Sequence, residues 1–192
     1  MAMGIPPTMY LAEKTTQVAA KFVSMAGGTM PYIVLLKLLY LADRQMLVRW
    51  GVPMTYDAWY SMPYGPVLSN TYNAIKKMPV GAGAIGRDYW GRHLCKSRYD
   101  LCVVNDPGDD LLSAAEDSII EEIYQAHGAK NQWELIDFTH ELPEWNDPGN
   151  SSIPITYESV LIAEGLPRDA VARRIENIQT TREIAAAFAA VK

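Results

Sequence analysis

Wound as a helix, the stretch from Met30 to Trp50 is apolar around almost its whole circumference. Leu35, Leu38, Leu39, Ala42 and Met46 share one face, and Val34, Leu36, Tyr40, Leu41, Leu47 and Val48 fill most of the remainder. Lys37 and Arg44 line up on a narrow polar stripe. A helix apolar on all sides has to be wrapped by other elements, so this one is expected at the centre of the core. Charges interrupt it too often for a membrane span. Asp43 falls between Tyr32, Leu36, Tyr40 and Leu47, off the polar stripe, where a carboxylate needs a partner. The choice there is between a structural ion pair or a cap on a neighbouring helix end, and a catalytic carboxyl raised by burial.

The rest of the pattern supplies the wrapping. Residues 1–10 hold Gly4, Pro6 and Pro7 and read as a flexible arm. A helix is expected from Ala12 to Ala26, stopped by Gly27-Gly28, after which Thr29 caps the central helix with Pro31 in its first turn. Gly51 and Pro53 end that helix. An extended segment near Ala58 to Met62 and a tight turn follow, and Pro66 opens a helix reaching Met78 with Leu68, Tyr72 and Ile75 inward. Residues Arg87 to Val104 read as a β-hairpin, with Tyr89, Trp90, Leu94, Tyr99, Leu101 and Val103 as strand formers. Ser113 with Glu116 spells a capping box, and Asn131 caps a further helix running to about Leu142. A surface loop over Asp147 to Ser152, a short helix from Tyr157 to Glu164 and a last helix after Pro167 complete the chain. Val171, Ile175, Ile178, Ala185 and Phe188 recur at helical spacing in that last helix, which either packs on the core or offers a face to another protein. The expected architecture is mainly α: a single-domain helical bundle over residues 11–192 around a buried central helix, with one small β-hairpin.

Composition narrows the function classes. About half of the residues are hydrophobic, which excludes global disorder, and a net charge of -5 argues against a surface dedicated to nucleic acid. No charged start with an apolar stretch and cleavage site opens the chain, so the cytoplasm is the expected compartment, with Cys95 and Cys102 as small packing residues. His93, His127 and His140 are scattered and neither cysteine has zinc-site spacing, so no metal or cofactor is expected. Gly81 to Gly86 has the letters of the dinucleotide fingerprint. A helix and Pro79 precede it where a strand is required, so it reads as a loop. No nucleophile elbow or phosphate-cradling loop is present. His140 and Glu141 are adjacent, and neighbours on a helix point in different directions.

Four groups of residues carry the reading further: Leu35 to Arg44, Tyr64-Gly65-Pro66-Val67, Leu135-Ile136, and Thr139-His140-Glu141 followed by Trp145. In this order the chain resembles the Panacea domain of the SocA-like antitoxin family, also met in phage-associated proteins, over roughly residues 30–147. Tyr56 before Asp57 and Pro63 before the Tyr-Gly-Pro turn depart from the family pattern. The resemblance implies a non-enzymatic bacterial or phage antitoxin in the cytoplasm, which neutralises a toxin encoded beside it by direct binding. The family member that gives the group its name delivers its toxin to a protease, so a cytosolic protease is a further implied partner. Lys37, Tyr40, Asp43, Arg44, Gly65, Pro66, His140, Glu141 and Trp145 are the family-motif residues, expected to be structural.

Trp59, Tyr60, Tyr64 and Trp90 sit in or beside loops and are the candidate toxin-binding residues, since exposed aromatics anchor interfaces. Burial against the central helix is the alternative for each. Two other functions compete: a DNA-binding regulator of its own operon, with the hairpin as a wing, and an enzyme using Asp43 or His140.

Overall fold

The computed structural model describes residues 9–78 and 88–190, with eight helices and six short strands among them. The flexible arm expected over residues 1–10 falls largely outside these residues, and the Gly81 to Gly86 loop lies wholly outside them. Helix α2 (Tyr32–Trp50) takes the central place, and every residue from Val34 to Arg44 is buried. Around it pack α1 (Ala12–Met25), α5 (Ala114–His127) and α6 (Gln132–His140). α5 and α6 begin where local chemistry places them, because Ser113 with Glu116 and Asn131 with Glu134 each form a complete capping box.

The polar stripe expected on α2 is buried as well, with Lys37 1% and Arg44 8% exposed. The wheel sets polar residues apart from apolar ones, but it does not show which neighbours arrive to cover them.

Sheet content also exceeds the single hairpin expected. Strand β1 (Thr29–Pro31), with β4 (Leu94–Ser97) and β5 (Asp100–Val103), forms one three-stranded sheet in the order β1-β5-β4. Thr29 is therefore a strand residue facing Cys102, and α2 starts without a side-chain cap. The hairpin itself is shorter than Arg87 to Val104. Asp88 accepts a hydrogen bond from the Gly91 N–H at 2.9 Å, and this cap makes Tyr89–His93 a helical turn, α4, despite its strand-forming side chains. Arg98, at φ 53°, closes the turn between β4 and β5. That register sets Cys95 opposite Cys102, Cα atoms 5.2 Å apart, which brings the two sulfurs against each other.

The second sheet joins β2 (Trp59–Ser61), β3 (Val67–Leu68) and β6 (Ile153–Ile155) in the order β3-β2-β6. Val67 and Leu68 pair with β2, so the helix expected from Pro66 begins only at α3 (Ser69–Lys77). The outer strands β1 and β6 each contain a proline, Pro31 and Pro154, which removes a donor from a strand that has a neighbour on one side only. Beyond β6, α7 (Tyr157–Ala163) and α8 (Arg168–Ala190) return to the central helix. Arg174 donates to the carbonyls of Leu47 and Val48 at 3.3 and 2.7 Å, satisfying the open end of α2 where Gly51 turns the chain at φ 79°. Val171 and Ile178 of α8 are buried, whereas Ile184 and Phe188 are exposed. No helix among the described residues is long and apolar enough to cross a membrane.

Candidate functional site

The polar residues of α2 each reach a different segment. Asp43 is fully buried, and its carboxylate accepts from the Thr55 N–H at 2.6 Å, the Thr55 hydroxyl at 2.9 Å and the Trp59 indole at 2.8 Å. Burial pushes this carboxyl up to about 7, against three donors that favour its ionised form. Asp43 thus serves neither as an ion-pair partner nor as a helix cap; it ties down the loop after α2. Capping falls to Asp57, whose carboxylate accepts from the N–H groups of Asn70 and Thr71 at the start of α3, at 2.8 and 2.9 Å.

One residue along, Arg44 meets Glu144. Its guanidinium donates from Nε to Oε1 at 2.7 Å and from Nη2 to Oε2 at 3.2 Å, while Nη2 also reaches Glu164 on the α7 side at 2.6 Å. The Tyr40 hydroxyl donates to the same Glu144 Oε1 at 2.8 Å. Burial, reinforced by that carboxylate, holds the Tyr40 phenol well above its usual range.

Lys37 reaches the turn between β2 and β3. Its ammonium donates to the Pro66 carbonyl at 2.9 Å, and no carboxylate among the described residues stands within ion-pair distance of it. Burial alone pushes it down to about 7. The turn closes by mutual backbone bonds between Met62 and Gly65, at 2.9 and 3.3 Å. Gly65 has φ 87°, and a Cβ there would stand 2.5 Å from Thr139 Oγ1 and 2.8 Å from Lys37 Nζ, so only glycine fits.

From the other side, the Trp145 indole donates to the Met62 carbonyl at 3.1 Å. The His140 ring stacks on Trp145 at 3.9 Å and 18° and lies against the Pro63 carbonyl. Burial, then the Lys37 charge, lowers the His140 pKa. At the apex the Tyr64 side chain is 61% exposed.

The aromatic candidates therefore separate. Trp59 is 2% exposed, packed edge-on against Tyr40 and Tyr157 at 5.2 and 4.8 Å. Trp90 is 4% exposed and donates to the Met78 sulfur. Both are interior residues and present no face to a partner. Tyr60 is half-buried, and Tyr64 stands in solvent. Of the motif residues, Lys37, Gly65, Pro66, His140 and Trp145 converge on one turn, whereas Glu141 is exposed and holds nothing there. The carboxylate that matters inside is Glu144, which sequence reading passes over; its position between Pro143 and Trp145 carries no local signal of burial. The roles of Asp57 and Thr55 carry no local signal either. No group of three or more His, Cys, Asp or Glu that could hold a metal ion occurs among the described residues.

These features define a mainly helical protein whose buried polar side chains hold loops and an aromatic turn in place. The chain belongs to the antitoxin SocA-like family, Panacea domain, whose family model matches residues 35–146. No curated protein and no solved structure matches it.

Proposed function

We propose that this chain is the antitoxin of a toxin-antitoxin pair, that it acts in the cytoplasm, and that it neutralises its toxin by direct binding through the Tyr64 turn. Family membership supports the antitoxin role. The observation that carries the binding site is the convergence of donors from Lys37 and Trp145, with His140 stacked beside them, on a turn whose apex ring is left in solvent. An aromatic ring on a prefixed turn loses little freedom on docking, which is what an interface anchor needs. Asp43 and His140, the candidates for catalysis, are engaged in holding the loop after α2 and the turn, which favours a binding protein over an enzyme. The same reading takes residues 11–192 as one domain, since side chains from α7 and α8 enter the core around α2.

The experiment is growth of cells expressing the adjacent open reading frame, with and without this chain. Arrest by the neighbour alone and recovery on co-expression is the expected result; a harmless neighbour removes the reading. Repeating the assay in a strain lacking the cytosolic protease separates the two modes, because delivery to a protease loses rescue there and blocking retains it.

A further inference from the structure

We infer that Tyr64 and the carboxylates of Asp137, Glu141 and Asp147 form one docking surface, and that the toxin surface it fits is basic, with lysine or arginine around a pocket for the aromatic ring. This rests on the antitoxin reading above and adds the chemistry of the partner.

The placement follows from the contacts on the turn. The Asn146 N–H, one residue before Asp147, donates to Ser61 Oγ at 3.2 Å, Trp145 donates to Met62, and Thr139 stands against Gly65, so the end of α6 and the segment after it border the turn that carries Tyr64. Asp137 and Glu141, four apart at the end of α6, project to the same side, and both they and Asp147 are exposed. None of the three takes part in an ion pair among the described residues, although six such pairs occur elsewhere. Lys37 is buried beneath the turn and donates to Pro66. Among the described residues, the solvent side of the turn therefore carries carboxylates with no cation paired to them. Ile153 pairs with Ser61, the last residue of the strand that leads into the turn, and is 38% exposed, adding apolar area to this edge of the sheet.

Charge sign and shape then select the occupant. An aromatic apex with an aliphatic neighbour supplies area that gains from desolvation, and carboxylates at its border repel nucleic acid and steer a cationic protein surface into register. The carboxylates act mainly on association, whereas the ring acts on residence time.

The test uses the full chain and the purified product of the adjacent open reading frame, with binding kinetics read at two salt concentrations beside the growth assay. Tyr64→Ser is expected to weaken binding roughly tenfold or more, chiefly through faster dissociation. The double variant Asp137→Asn/Asp147→Asn is expected to slow association roughly threefold or more at low salt, with the difference vanishing at high salt. Tyr99→Ser, an exposed aromatic on the other hairpin, is expected to match the unaltered chain. Circular dichroism melts confirm that each variant is folded. If the unaltered chain binds and rescues, and the Tyr64 and aspartate variants do so equally well, the surface is overturned while the antitoxin reading stands. If the unaltered chain neither binds nor rescues, the antitoxin reading fails and this surface falls with it.

Discussion

Arg44 on the central helix and Glu144, one hundred residues further along the chain, form a two-bond ion pair whose carboxylate side chain is fully removed from solvent. Tyr40 contributes a third donor to the same carboxylate. The pair joins α2 to the segment that follows α6, directly before Trp145, which holds the Tyr64 turn. It therefore links the centre of the core to the proposed docking surface.

Removing one partner leaves the others stranded. Glu144→Ala is expected to cost about 3–5 kcal/mol in urea unfolding, because a buried phenol loses its acceptor and a buried guanidinium keeps only its bond to Glu164. Glu144→Gln keeps a carbonyl oxygen for one of the donors and is expected to cost less. Equal losses for the two variants would show that the pair is not the source of the effect.

Lys37 gives stability a pH dependence. An amine whose folded pKa lies below its unfolded value contributes stability that is complete above the unfolded value and is lost as pH falls through the folded one. For Lys37 the window runs from 10.5 down to about 7. Lys37→Met is therefore expected to cost more stability at about pH 9 than at about pH 6, where the native chain already bears a buried charge. Denaturant titrations at both values check this; a cost independent of pH refutes it.

Asp43 carries the opposite sign. Its folded pKa is raised from 3.8 to about 7, so its contribution is complete below the unfolded value and is lost as pH climbs through the folded one. Asp43→Asn is expected to flatten the stability profile across that acid window. It should also lower stability near neutrality, since the amide has one acceptor oxygen where the carboxylate has two, and its NH2 group would face one of the three donors from Thr55 and Trp59.

Gly65→Ala forces a side chain into a left-handed position already occupied by Thr139 and Lys37. A loss of about 1–3 kcal/mol is expected in thermal unfolding, together with weaker toxin binding as the Tyr64 ring is displaced. Binding unchanged in a destabilised variant would detach the turn from recognition.

A chain cut after Asn146 retains the family-matched span but loses Ile155, Val160, Leu161, Val171 and Ile178 from the core and β6 from the second sheet. It is expected to lack a cooperative unfolding transition by calorimetry. A sharp transition in the shortened chain would place residues 147–192 outside the folding unit.

Several elements were legible because their causes lie within a few residues. The apolar circumference of α2, the capping box that opens α5, the Asn131 cap of α6 and the pairing of β4 with β5 are all local, and each was read from neighbours in sequence. The motif residues Lys37, Gly65, His140 and Trp145 were legible as a set, but not as four parts of one turn. Their convergence depends on α2 and α6 meeting on either side of that turn, a contact between segments some hundred residues apart.

Where one local signal competed with another, a cap or a tertiary contact decided. Tyr89 and Trp90 have strand-forming side chains, yet the Asp88 cap makes them helical. Val67 and Leu68 follow a helix-opening proline, yet pairing with Trp59 and Tyr60 keeps them extended. Trp59 and Trp90 sit beside loops, as Tyr64 does, and only packing separates the buried rings from the exposed one. The central helix, the mainly helical class and the family follow from the order of residues along the chain, because these rest on period, caps and ordered motifs. That Glu144 is buried and Glu141 is not, and that Lys37 and Arg44 lie inside, follows from packing alone. The burial of a charge is set by the partner that meets it, and each of these partners comes from a distant part of the chain.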